Sequence, residues 1–167
     1  EIGPVSVGLF GLSGGQFNVT GPAGTETGTR DTDKLVAGID ASGRIADRWY
    51  WFGQVLWNRW EGFLDPALDY EWTGGFAGVD YVHSEKWVFS ALLNLSDAGD
   101  FKNSDTIYEG IDMRTVSLAS AYYFMRNVKG VIELNIDLLD EEPQTGTYYT
   151  GHLSKENYIL LGIDAAF

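Results

Sequence analysis

From Trp87 to Ser96 the chain alternates without a slip, with Trp87, Phe89, Ala91, Leu93 and Leu95 set against Val88, Ser90, Leu92, Asn94 and Ser96. A period of two places one set on each side of an extended backbone and rules out a helix for that stretch. Further on, Ile132, Leu134, Ile136 and Leu138 alternate with Val131, Glu133, Asn135 and Asp137. A strand buried on both faces would not carry charges inside its alternation, so one face is apolar and the other polar. The last residues, YILLGIDAAF, repeat the pattern, with Ile159, Leu161, Ile163 and Ala165 on one side and Asp164 on the other. The same period predicts strands from Val5 through Val19, Lys34 to Ile45, Trp49 to Leu64, Tyr70 to Val82 and Thr106 to Phe124, with the final strand beginning near His152. That makes about eight strands in an all-β, antiparallel up-and-down chain, read as a single domain over 1–167.

Composition agrees: 21 Gly, nine Tyr, nine Phe and six Trp against four Pro suit strands joined by turns. No cysteine is present, which excludes disulfides, thiolate metal sites and cysteine nucleophiles. A net charge of −13 argues against a nucleic-acid partner. No apolar run approaches the roughly 18 to 20 residues of a membrane helix, but spanning strands need only about 9 to 11 residues each.

The connections alternate in length. Those around 21–33, 64–67, 97–105 and 140–151 are long, and those at 46–48, 83–86 and 125–129 are short. Acids crowd the long side, including Glu26, Asp31, Asp65, Asp69, Glu109, Asp140, Glu141 and Glu142, while the short turns carry Arg44, Arg48, Lys86, Arg126 and Lys129 against Asp47 and Glu85. Aromatics gather beside the short turns: Trp49, Trp51, Tyr81, Trp87, Tyr122, Phe124 and Phe167.

This pattern resembles the small OmpA-type and OmpX-type β-barrels of the bacterial outer membrane, and the C-terminal strands of porins. The resemblance implies a transmembrane β-barrel with both termini in the periplasm and acidic loops outside. It also implies an interfacial aromatic girdle made by the residues just named. The closing strand, ending on Phe167, would be the signal read by the barrel assembly machinery, with Ile163 and Ala165 as its other determinants. That strand should pair with the seventh strand on one edge and the first on the other, leaving no free edge.

On such a barrel the polar faces turn inward, carrying Asp40, Arg44, Asp80, Glu133, Asp137 and Asp164. Two interiors are open. Phe10, Leu12, Phe76, Tyr123, Tyr158 and Leu160 could fill an eight-stranded barrel around a structural charge network, or the acids could line a hydrated channel that favours cations. The expected function is a small pore or a structural and interaction barrel. Its partners would be the bilayer, lipopolysaccharide and a cationic or protein ligand at the acidic loops. One alternative is a segment or subunit of a larger porin, such as the sheath of a multi-protein complex. Another is a lipid-modifying enzyme, because His152 and Ser154 are similar to the His-x-Ser arrangement of outer-membrane lipid A deacylases, with Glu156 and Asp164 the carboxylates beyond them. No cofactor is expected. The oxygens of Asp97, Asp100, Asn103 and Asp105 form a weak calcium candidate without EF-hand spacing.

Overall fold

A computed structural model describes residues 4–19, 29–63, 67–102, 112–139 and 157–166, the side chains of 16–19 and 29–32 excepted. Eight strands form one antiparallel sheet in chain order: β1 (Val5–Val19), β2 (Thr29–Ala46), β3 (Trp49–Glu61), β4 (Asp69–Val82), β5 (Trp87–Asp97), β6 (Met113–Met125), β7 (Val128–Asp137) and β8 (Tyr158–Ala165). A 3-10 turn, Gly99–Phe101, follows β5. Among the described residues no helix is long and apolar enough to cross a membrane.

The strands expected from the period of two are all present, with several boundaries moved: β3 ends at Glu61, before a turn at Gly62, β6 begins at Met113 and β7 already at Val128. β2 begins at Thr29 instead of Lys34, and the ladder with β1 runs out to Val19 opposite Thr29. The polar composition of Arg30 to Asp33 predicts loop. The segment is extended instead, because the backbone hydrogen bonds of a hairpin propagate whatever the side chains are. The expected starts at Thr106 and His152 lie outside the described residues, as does Leu64.

The three short turns tie the sheet together at one end. Asp47–Arg48 and Arg126–Asn127 are tight, and a register shift accompanies each, between Arg44 and Ala46 and between Tyr123 and Met125. Such bulges add twist at a strand end. In the third turn, the Ser84 hydroxyl accepts the backbone N–H groups of Lys86 and Trp87, at 3.3 and 3.2 Å. Each turn also reaches the next hairpin. The Arg48 carbonyl accepts from Val82, that of Lys86 from Tyr123 and that of Asn127 from Ala166.

The sheet is open. β1 pairs only with β2 and β8 only with β7, so the expected seam between the first and last strands is not formed among the described residues. Pattern within a strand tells which residues face together, but an edge's partner depends on how twist accumulates over the whole sheet.

Registers across all seven pairs separate two faces. One row of the first face reads Leu9, Ile39, Val55, Gly75, Leu95 and Arg114. Another reads Phe89, Ser120, Ile132 and Leu161. A row of the second face reads Gly8, Asp40, Gln54, Phe76, Asn94, Thr115 and Asp137. Burial is inverted relative to an ordinary sheet. Leu9 is 81% exposed and Ile163 79% on the apolar face, whereas Asn135 and Asp137 are 6% and 5% exposed on the polar face.

Large rings cover the glycines opposite them. Phe10 lies where a side chain on Gly38 would stand, Phe52 covers Gly78, and Trp51 covers Gly43. The only cluster of buried apolar side chains among the described residues sits at the long-connection end: Phe63, Tyr70, Ala98 and Phe101, flanked by Trp60 and Trp72.

Candidate functional site

The polar face assembles the predicted inward charges into rows. Nearest the short turns, Tyr123, Lys129 and Asp164 stand side by side, and Lys129 Nζ lies 3.2 Å from the Asp164 carboxylate. The next charged row, past Ala121, Val131 and Gly162, runs Arg44, Tyr50, Asp80, Ser90, Ala119, Glu133 and Leu160. There the Arg44 guanidinium donates to the Tyr50 hydroxyl and lies over its ring, while Ser90 Oγ donates to Asp80 at 2.6 Å. In the third charged row Asn94 donates to Thr115 at 3.3 Å, and Asp40 packs over Gly8, where any side chain would collide with its carboxylate. Asp137 ends that row. Its carboxylate accepts the Leu139 N–H at 3.0 Å, and its own N–H donates to the Asn157 side chain at 2.9 Å.

All six predicted inward charges therefore share one face, in three rows that alternate with uncharged ones. The short spacing of cross-strand neighbours within a hairpin lets Arg44 meet Tyr50, 6 residues on, and Ser90 meet Asp80, 10 residues back. Tyr50, Gln54, Asn94 and Lys34, not named for the lumen from the sequence, join this face's polar set; the available signal is the period of two, which sets Tyr50 and Gln54 against Trp49 and Trp51, sets Asn94 against Trp87, and puts Lys34 on the same side of β2 as Asp40.

The aromatics named for a girdle lie on the opposite face, at the short-turn end. Trp49 and Tyr81 are 4.6 Å apart between ring centroids, Trp87 and Tyr122 4.8 Å, and Tyr122 and Phe124 5.2 Å. His83, which no motif or spacing singles out, closes the gap. Its ring is 6.0 Å from Tyr81 and 6.2 Å from Phe89, and Phe89 stacks on Trp87. The result is one belt of rings in contact from β3 to β6. Trp51 shares the face beside Gly43; Phe167 lies outside the described residues. Ile163 and Ala165 stand opposite Gly130 and Val128 on β7.

At the other end the apolar face stops at charge. Arg59 pairs with Asp69 and lies 3.5 Å from Glu61, and Trp57 Nε1 donates to Glu71 at 3.1 Å. From Trp49 to Trp57 β3 rises about 27 Å. Compared with family models, curated proteins and solved structures, the chain matches none.

The connection after β5 is not the freely solvated acidic loop that its composition suggests. Phe101 is fully buried, stacked on Tyr70 at 5.0 Å and edge-on to Phe63 and Trp60 at 6.0 Å. Asp97 accepts from Lys102 Nζ at 2.7 Å and from the Gly99 N–H at 2.8 Å, and Asp100 accepts the Glu71 N–H at 2.9 Å. The Lys102 hydrogen bond, helped by the Gly99 amide, holds the Asp97 carboxyl below the usual range. Both acids are thus turned to donors within the chain instead of converging on a cation. Asn103 and Asp105 lie outside the described residues, and so do His152, Ser154 and Glu156. Asp164, the other carboxylate of that motif, faces Lys129.

Proposed function

We infer that this chain forms the wall of an outer-membrane β-barrel, non-enzymatic, acting as a small pore or a structural and interaction barrel. The observation that carries the reading is the inverted burial: the strand side chains fully sheltered from solvent are mostly polar, and the most exposed of the large apolar ones are Leu and Ile. In water each such exposed side chain would forgo about 1.5 to 3 kcal/mol of transfer free energy, which hydrocarbon supplies. Three further features support it. The apolar band ends in aromatic rings at one rim and in ion pairs at the other, the short turns are basic, and the acids gather at the opposite end. In this orientation the short turns are periplasmic, the acidic loops face lipopolysaccharide or a cationic partner, and the closing strand is what the assembly machinery reads.

The polar face is then the lumen. Asp40, Asp80, Glu133, Asp137 and Asp164 outnumber Lys34, Arg44 and Lys129 on it, which favours cations in a hydrated channel. Planar-bilayer recordings of the full chain should show discrete conductance with cation over anion selectivity. Glu133→Gln, mid-strand and with no ion pair among the described residues, should reduce that selectivity. A sealed bilayer at high protein concentration would leave the structural barrel and sink the pore.

The free edges of β1 and β8 favour a second reading, a segment or subunit of a larger barrel wall. Unpaired N–H and C=O groups in hydrocarbon cost several kcal/mol each, so both edges must be completed within a membrane. Because the chain has no cysteine, Leu9→Cys with Leu161→Cys provides a clean test with a short bifunctional maleimide. A within-chain cross-link indicates closure of this sheet on itself. A cross-link only between chains indicates that copies complete the wall.

A further inference from the structure

On the apolar face, at the short-turn end, lies a groove of about 480 Å³. Its floor is made by Ser120 and Gly130, whose small size interrupts the bulk around them. Trp87 and Tyr122 stand on one side and Leu161 and Ile163 on the other. Registers place these residues in two adjacent rows, Trp87–Tyr122–Gly130–Ile163 above Phe89–Ser120–Ile132–Leu161. The groove therefore crosses from β5 to β8 instead of following one strand, about 14 Å at the spacing of neighbouring strands. With strands tilted about 45° to the bilayer normal, a furrow across them is itself inclined enough to accept a chain descending from the surface.

Its mouth is cationic. Lys86 Nζ lies 5.9 Å from the centroid of the Tyr122 ring that walls the groove. Arg126, exposed in the turn after β6, stands at the same rim. The acids nearby are fewer: Glu85 adjoins Lys86 in sequence, and Asp164 is already held by Lys129 on the other face. An apolar furrow opening beneath unneutralised cations and an indole ring is complementary to an amphiphile with an anionic head and a hydrocarbon tail.

We propose that this groove binds one acyl chain of an anionic phospholipid of the leaflet that meets the short turns, its phosphate held by Lys86 and Arg126. The proposal rests on the membrane reading above and adds to it a headgroup preference and a location. Ring contacts from Trp49 through Tyr122 then have two consequences: they mark the interface, and at the Trp87–Tyr122 end they wall a lipid subsite. The opposite rim, rich in acids, carries no such preference.

The test uses the full chain in phosphatidylcholine vesicles containing phosphatidylglycerol, with bromine on the acyl chains of one lipid at a time. Quenching assigned to Trp87, by difference from Trp87→Phe, should show phosphatidylglycerol preferred about 25-fold at low salt, from two basic side chains of about 1 kcal/mol each. The preference should fall about fivefold for each of Lys86→Gln and Arg126→Gln, since a basic side chain at an anionic surface contributes about 1 kcal/mol. It should also collapse in about 0.5 M salt, where screening is strong. Ser120→Phe, which fills the floor, should weaken quenching by both lipids. Equal quenching by the two lipids in the unmodified chain would overturn the proposal, as would a preference that survives the double charge variant. A chain that fails to float with vesicles at all would overturn the membrane reading, and this proposal with it.

Discussion

Gly99 shows how much a single residue decides at the loop end. Its φ is +55°, a left-handed conformation, and a Cβ there would strike the Glu71 carbonyl. Only glycine takes that backbone without strain, and through it Phe101 reaches Tyr70 and Trp60. Gly99→Ala should therefore cost more than about 1 kcal/mol and release the ring, read as faster proteolysis after β5 and a red-shifted tryptophan emission from Trp60 and Trp72. Unchanged emission and cleavage would refute the assignment. Beside it, Asp97 has a carboxyl lowered from the ordinary 3.8 by Lys102 and the Gly99 amide, at a point past Leu95, the last apolar residue of β5. A lowered value means its contribution is complete above the unfolded pKa and is lost as pH falls through the folded one. Protection of the Gly99 amide, its exchange rate divided into the unfolded rate at the same pH, should hold at neutral pH and fall below the ordinary value of 3.8. Asp97→Asn should be less protected already at neutral pH, with a smaller further change on acidification. The group is largely exposed, so the effect is local.

Among the elements, β8 joins most of the argument together. Ile159, Leu161 and Ile163 are 68%, 74% and 79% exposed, and Asp164 faces Lys129 across the ladder. Its outer edge is free, and an exposed, apolar, unpaired edge in water invites aggregation. Such an edge fits a strand that is docked late and by another agent. Removing Phe167 should impair membrane insertion while leaving solubility in denaturant unchanged; normal insertion of the truncated chain would refute the proposed signal. β3 makes the complementary point. Both its sides are bulky, so its own residues leave its facing ambiguous, and register resolves it: Trp49, Trp51, Val55 and Trp57 join the apolar face, and Tyr50, Gln54 and Asn58 the polar one.

For the molecule as a whole, the sheet has too small an apolar core to be held together in water by it, since only Phe63, Tyr70, Ala98 and Phe101 are buried apolar residues among those described. A bilayer would replace that core from outside. Dilution from denaturant into buffer alone should leave the chain without a full sheet signal in far-ultraviolet circular dichroism, or aggregated. Vesicles should restore the signal with a blue shift of tryptophan emission. A monomer with complete sheet signal in buffer would refute the membrane reading.

The two faces are legible in the amino-acid sequence because side-chain direction in a strand is fixed by the covalent alternation of the backbone. That period groups Asp40 with Arg44, and Glu133 with Asp137, and the apolar side opposite them in each strand marks the charged side as the common inner one, with Trp87 on the other. Connection lengths likewise indicate which strand ends lie together. Contacts between remote segments are not legible. Nothing local announces that His83 joins Tyr81 to Phe89, that Phe101 folds back onto Tyr70, or that Lys129 meets Asp164. Nor does it announce that β1 and β8 are not paired among the described residues. These depend on register, twist and loop closure, which sum over many residues, so the two sides of each strand are a property of its own sequence, while the facing of β3 and the assembly of rows, belt and edges belong to the folded sheet.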